Sequence, residues 1–286
     1  MSDLNPKDVT FFFTVGGGDE HYENMQRCIK SINEKFGKAR FLIVEFGNKL
    51  KSTRAQKVIS LPDTIDFKAG KKVGYIIWKH KYFAALKVKT KYGVYVDTDT
   101  VMVNAEPLKK ILPSLSGGIA VTQHFWVPTI GHYQDRATTT ETIEYFKEAK
   151  ALCGLKDNNP FFAGGVFMFE KNEETLEVFQ QVLDYYDSFY TKDRDYVKSI
   201  TDELFLAGAL MRSSSLIRTL SGAVNHCCMG EEHMPLILHE EDIWGRNPWE
   251  NAWTKVSFFH CNVARRDPTE NYEGDLKEAV KNAWGL

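Results

Sequence analysis

The 286-residue chain is 43% hydrophobic and 26% charged with a formal net charge of −2, ordinary globular material that excludes a disordered or collagen-like polymer. So even a charge balance gives no general attraction to nucleic acid or anionic lipid, and any anion site is expected to be local. Five cysteines (Cys28, Cys153, Cys227, Cys228 and Cys261) are odd in number and lack CxxC spacing, so they read as free thiols rather than a disulfide framework or zinc knuckle.

The opening MSDLNPKDV has neither the basic start nor the apolar centre of a signal peptide, and no apolar run reaches membrane-spanning length. A cytoplasmic protein with no transmembrane segment is expected. VTFFFTV (9–15) is a β-rich run ending at Gly16, Gly17 and Gly18, and YENMQRCIKSINEKF (22–36) places Met25, Cys28, Ile29 and Ile32 at helical spacing. ARFLIVEFG (39–47) reads as a second buried strand, 72–88 as a helix and YGVYVD (92–97) as the next strand. Beyond these, 117–123 is expected as a strand and 138–152 as a helix. FFAGGVFMFE (161–170) reads as a strand broken by its glycines, 172–190 as a helix capped by Asn172, and 201–211 as a further helix. A late strand over 255–261 and a C-terminal helix over 271–284 complete the list. Strands alternating with helices predict an α/β fold, with a mixed, mostly parallel central sheet flanked by helices. No repeat or low-complexity linker interrupts it, so one domain over 1–286 is expected.

Two motifs bear on chemistry. The glycines of TVGGGDEHYEN do not match a dinucleotide fingerprint: counting from Gly16, the sixth place holds His21 where a glycine is required. What survives is a strand end opening onto a helix start, where backbone N–H groups can face a nucleotide. The second motif is GVYVDTDTVMV (93–103), which reads as a fully buried strand yet carries Asp97 and Asp99. Alternate residues of a strand share a face, so the two carboxylates should lie a few ångströms apart. Solvent, a proton or a cation must separate them. Ligands of open α/β sheets bind beyond the carboxyl ends of strands, and a hard divalent cation takes oxygen ligands while keeping places for phosphate. A second copy, Asp193-Arg194-Asp195, lies in a polar stretch and reads as a solvated loop.

KYGVYVDTDTVMVN resembles the D-x-D segment of nucleotide-sugar-dependent glycosyltransferases of the GT-A fold. VTFFFTVGGGDEHYENMQRCIKSI is similar to their opening strand, nucleotide-binding loop and helix. NNPFFAGGVFMFEKN is similar to the glycine-containing strand of glycogenin-like and lipopolysaccharide galactosyltransferase-like members, with Phe162 where they often carry asparagine. SFFHCNVARRDP is similar to their late strand with its metal-binding histidine. The resemblance implies a single GT-A-type, Rossmann-like domain, with a nucleotide-binding half over about 9–104 and an acceptor-binding half over about 105–268. It implies transfer of a sugar from a nucleotide diphosphate sugar, UDP by family tendency, to a carbohydrate or other hydroxyl acceptor. Mn²⁺ or Mg²⁺ would be held by Asp97, Asp99 and His260.

Donor contacts are then expected from Thr14, Val15, Gly16, Tyr22, Asp97, Thr98 and Arg265. WKHKY offers Lys79, His80 and Lys81 for the basic position before the D-x-D strand, and Lys81 is carried as a donor contact. Asp202 and Glu203, at the head of a helix where carboxylates also serve as caps, are the catalytic candidates; Glu240, Glu241 and Asp242 compete for that role. Ala163, Gly164 and Gly165, with Trp126 and Trp244, are expected on the sugar side, since indole rings pack on sugar C–H faces. Two other readings use the same residues: a nucleotidyl- or phosphotransferase, and a non-catalytic sugar-nucleotide-binding module.

Overall fold

The computed structural model describes residues 4–286 apart from 48, 62–72, 125–126, 135–139, 191–201, 214–215, 228–234, 249 and 262–266. In chain order the elements are β1 (Val9–Gly16), α1 (Asp19–Lys35), β2 (Arg40–Phe46), β3 (Gln56–Leu61), α2 (Val73–Leu86), β4 (Tyr92–Val96), β5 (Thr100–Met102) and α3 (Glu106–Ile111). Then come β6 (Ile119–Gln123), α4 (Ile130–Gln134), α5 (Thr140–Cys153), β7 (Phe162–Glu170), α6 (Glu173–Phe189), α7 (Asp202–Arg212) and β8 (Ile217–Leu220). The last part holds β9 (Asn225–Cys227), β10 (Leu236–His239), β11 (Asp242–Gly245), β12 (Thr254–Lys255), β13 (Phe258–His260) and α8 (Gly274–Trp284).

Seven strands form the main sheet in the order β3-β2-β1-β4-β7-β6-β8. Neighbours run parallel except at β7, which is antiparallel to both β4 and β6. Every residue of β1 is buried, because a central strand covered on both faces has no solvent side and reads as an unbroken apolar run. Its alternate side chains supply two cores. Phe11, Phe13 and Val15 pack with Met25, Cys28, Ile29 and Ile32 of α1. Phe12 faces the other way, into a layer with Tyr82 of α2, Tyr95 of β4 and Phe179 of α6. At the centre of that layer Phe167 stacks on Tyr95 (5.1 Å) and on Tyr82 (5.7 Å), contacts that fix both tyrosine rings.

Two expectations change. The stretch 161–170 is not broken by its glycines: β7 runs unbroken from Phe162 to Glu170, and the glycines instead take up a register shift opposite Val121 and Thr122 of β6. Pairing on both sides holds a strand that local propensity alone disfavours. Nor is 93–103 one strand. It leaves the main sheet after Val96, turns through 97–99, and enters a second sheet ordered β5-β13-β9. The turn, rather than strand alternation, brings the two carboxylates together. A third sheet, β10-β11-β12, is antiparallel throughout.

Candidate metal centre

The backbone of Asp97 is still tied to the main sheet, its N–H donating to Gly165 O at 2.9 Å, whereas the carbonyl of Asp99 accepts from Cys261 N at 2.9 Å. Pairing of β5 with β13 sets His260 opposite Thr100. Three side chains therefore converge from a turn and a neighbouring strand: His260 Nε2 lies 3.1 Å from Asp99 Oδ1 and 3.9 Å from Asp97 Oδ2. One potential ligand atom from each lies within 4.8 Å of the others, the one group of three or more His, Cys, Asp and Glu residues so placed among the described residues. Carboxylate oxygens with an imidazole nitrogen form a donor set that suits a hard or borderline divalent cation.

Lys81 of α2 reaches the same place from the other side. Its ammonium is almost fully buried and lies 3.2 Å from both Asp97 Oδ1 and Asp202 Oδ2. It also donates to Gly164 O at 3.4 Å and sits over the Tyr95 ring at 5.0 Å. Tyr95 donates its hydroxyl to Asp97 Oδ1 (2.6 Å), and Tyr82 donates to Asp202 Oδ2 (3.0 Å). The stacked aromatic core thus aims two hydroxyls at two acids.

Charge balance explains how the acid pair is tolerated. Burial pushes the Asp97 carboxyl up; Lys81 and His260 oppose this, Asp99 adds to it, and the net direction is upward. Burial acts on Asp99 in the same sense, but the charge and hydrogen bond of His260 outweigh it and hold Asp99 below the ordinary carboxylate range. For His260, burial favours the neutral ring, yet Asp99 and Asp97 raise it to about 9. Burial also works against the Lys81 ammonium, but Asp202 and Asp97 carry its pKa well above the usual lysine value. The two carboxylates are answered by the Lys81 ammonium on one side and the His260 ring on the other.

Glycines open the space. A Cβ on Gly165 would stand 3.0 Å from Asp97 Oδ2 and 3.0 Å from His260 Nδ1, and one on Gly164 would stand 2.7 Å from Asp202 Oδ2. Behind them, His260 Nδ1 and both side-chain polar atoms of Asn225 are buried with no partner among the described residues.

No family model matches the sequence, and no curated relative matches it. Solved structures do. The chain superposes on the galactosyltransferase LgtC, solved in complex with donor and acceptor sugar analogs, with a TM-score of 0.52 at 13% identity over 97% of this chain and 95% of that one. An active-site mutant of LgtC gives a TM-score of 0.51, also at 13% identity, with the same coverage. The chain has the GT-A fold. At this identity the likeness is one of fold.

On this GT-A scaffold a cavity of about 300 Å³ opens over the carboxyl ends of β1 and β4. Of the residues anticipated from sequence, it is lined by Thr14, Val15, Gly16, Lys81, Asp97, Thr98, Asp99 and His260, together with the unanticipated Ile77 and Trp78. His21, rather than Tyr22, is the α1 residue that faces it. Tyr22 is buried and donates to Phe46 O at 2.9 Å, holding the end of β2. Lys79 pairs with Asp187, and the His80 ring packs on Phe46, leaving Lys81 as the inward-facing cation. Asp202 is buried beneath Gly164, and Glu203 accepts from Gly164 N at 3.0 Å. Ala163 is buried in β7.

Other anticipated residues lie elsewhere. Trp244 is on β11, with the Lys255 ammonium over its ring at 5.4 Å, and does not line this cavity. Glu240 and Glu241 form an exposed turn before β11, and Asp242 pairs with Lys255 at 2.7 Å. Trp126, Arg265 and the second acid pair, Asp193 and Asp195, lie outside the described residues. Sequence reasoning missed Tyr95, Tyr82 and Asn225. Tyr95 had a signal, since it precedes Asp97 by two residues and so shares its face.

Proposed function

We propose that the chain is a metal-dependent glycosyltransferase, a single catalytic domain that transfers a sugar from a nucleotide diphosphate sugar, UDP by family tendency, to a hydroxyl of a carbohydrate acceptor. The observation that carries this reading is the convergence of Asp97, Asp99 and His260 on one cavity at the carboxyl ends of the parallel strands. The solved LgtC complex with donor and acceptor sugar analogs supports it. Asp97, Asp99 and His260 would hold Mn²⁺ or Mg²⁺, which when bound neutralises charge on a diphosphate leaving group.

The chain's own residues supply the rest. Thr14, Val15 and Gly16 present a strand end to the nucleotide, and Ile77 with Trp78 gives the opposite wall an apolar face for a base or ribose. Lys81 is a fixed cation shared by Asp97 and Asp202, so it holds the two acids in one geometry. Asp202, pinned by Tyr82 and Lys81, and Glu203, which accepts from Gly164 N, are the carboxylates assigned to the sugar side, where one can stabilise positive charge on the sugar or take the acceptor proton.

Incubation of the protein with UDP-sugars and Mn²⁺ tests the proposal. Free UDP accompanied by transferred or hydrolysed sugar is expected, with Asp99→Asn lowering turnover by about a hundredfold or more while circular dichroism shows the fold retained. Release of pyrophosphate or nucleoside monophosphate, or unchanged turnover in Asp99→Asn, overturns it.

A further inference from the structure

The far end of the same strands carries a second feature. Where β1, β2 and β3 begin there is a larger cavity of about 760 Å³, floored by the buried strand starts at Thr10, Phe41 and Leu42. Its rim is basic. Lys38 comes from the α1–β2 connection and Arg40 from the first residue of β2, Arg54 from the β2–β3 connection and Lys57 from the start of β3, Lys87 and Lys89 from the α2–β4 connection, and Lys7 from the start of the chain. Among the described residues no carboxylate lines it.

Several lysines elsewhere on this protein are matched, Lys49 with Asp19, Lys91 with Glu170, and Lys255 with both Glu106 and Asp242. The rim cations are all exposed, and none is within ion-pair distance of a carboxylate among the described residues. On a chain with a net charge of −2, this is a local excess whose self-repulsion is relieved by bound anions.

We propose that this groove binds a ligand presenting several clustered phosphate groups. Guanidinium and ammonium groups converging from the starts of β2 and β3 and the connections beside them suit phosphate oxygens, and a concave site of this volume suits a compact anion. The groove offers no exposed aromatic ring on which a nucleobase could stack, because Phe41 is buried. Among the described residues it also lacks an apolar wedge for insertion into a bilayer: the exposed large apolar side chains are Met211, Leu216, Ile237, Leu238 and Leu286, none of which lines it. Recognition is by charge. The site is separate from the donor cavity, so it stands or falls independently of the glycosyltransferase reading.

Calorimetric titration of inorganic tripolyphosphate into the full chain tests it. Saturable binding that weakens with added salt is expected. The exposed triple substitution Arg40→Gln, Lys57→Gln and Lys87→Gln should lower the affinity about tenfold or more with the unfolding midpoint unchanged, whereas Asp99→Asn should bind as the native chain does. Co-sedimentation with phosphatidylcholine vesicles containing cardiolipin, reversed by tripolyphosphate and absent without cardiolipin, identifies the phosphates as those of a lipid headgroup; tripolyphosphate binding without sedimentation identifies a free anion. No saturable binding of tripolyphosphate, or affinity that the triple variant retains, overturns the proposal.

Discussion

Asp97 accepts from Tyr95, lies 3.2 Å from Lys81 and faces His260, so one carboxylate joins the aromatic core to the candidate metal ligands. Such a buried network is sensitive to the loss of any member, because the partner left behind is a buried, uncompensated charge. Gly165 shows how little room remains. Its φ lies outside the left-handed region, so alanine is tolerated by the backbone, but the added methyl would stand 3.0 Å from both Asp97 Oδ2 and His260 Nδ1. Gly165→Ala should therefore keep the fold, as judged by circular dichroism, while displacing the ligand atoms and lowering UDP-sugar turnover by about a hundredfold. Native turnover in that variant would show that the glycine serves only strand geometry.

Elements rather than single side chains place the D-x-D turn. Ser31, in the C-terminal part of α1, turns its hydroxyl back to Cys28 O (2.7 Å) and accepts from Met102 N of β5 (2.9 Å). Ser31→Ala should leave that buried N–H without a partner and cost about 1–3 kcal/mol in urea unfolding; a change within a few tenths of a kcal/mol would mean that pairing with β13 alone positions β5. Legibility in the sequence follows the same physics. Central strands such as β1 and β2 were readable because burial on both faces demands continuous apolar residues, and α6 because Asn172 and Thr175 form a capping box before an amphipathic run. β3 was not, since an edge strand with a half-exposed pattern lacks that run, nor were β8 to β11, at three to four residues each, too short for periodicity to register, and the strand expected over 255–261 is divided between β12 and β13 of two sheets. The acid pair stood out because carboxylates inside apolar sequence need a reason. Asn225 and Tyr82 left no such trace, because their nearness to His260 and Asp202 arises only from tertiary packing.

Over the whole molecule, the parallel sheet divides two chemistries between its ends. At the carboxyl ends of the strands, acids, an imidazole and a buried lysine share one small cavity; at the amino ends, cations with no carboxylate partner among the described residues ring a larger one. β7 is the antiparallel exception, and it delivers Gly164 and Gly165 into the acidic site, where a side chain would not fit. The central claim is that Asp97, Asp99 and His260 hold a divalent cation. The most direct measurement is titration of the chain with Mn²⁺ followed by electron paramagnetic resonance, which counts bound ions without calling on activity. The account predicts one saturable ion per chain, with affinity reduced more than about tenfold by His260→Ala and still further by Asp99→Asn. No saturable Mn²⁺ binding, or binding that neither substitution weakens, would contradict it.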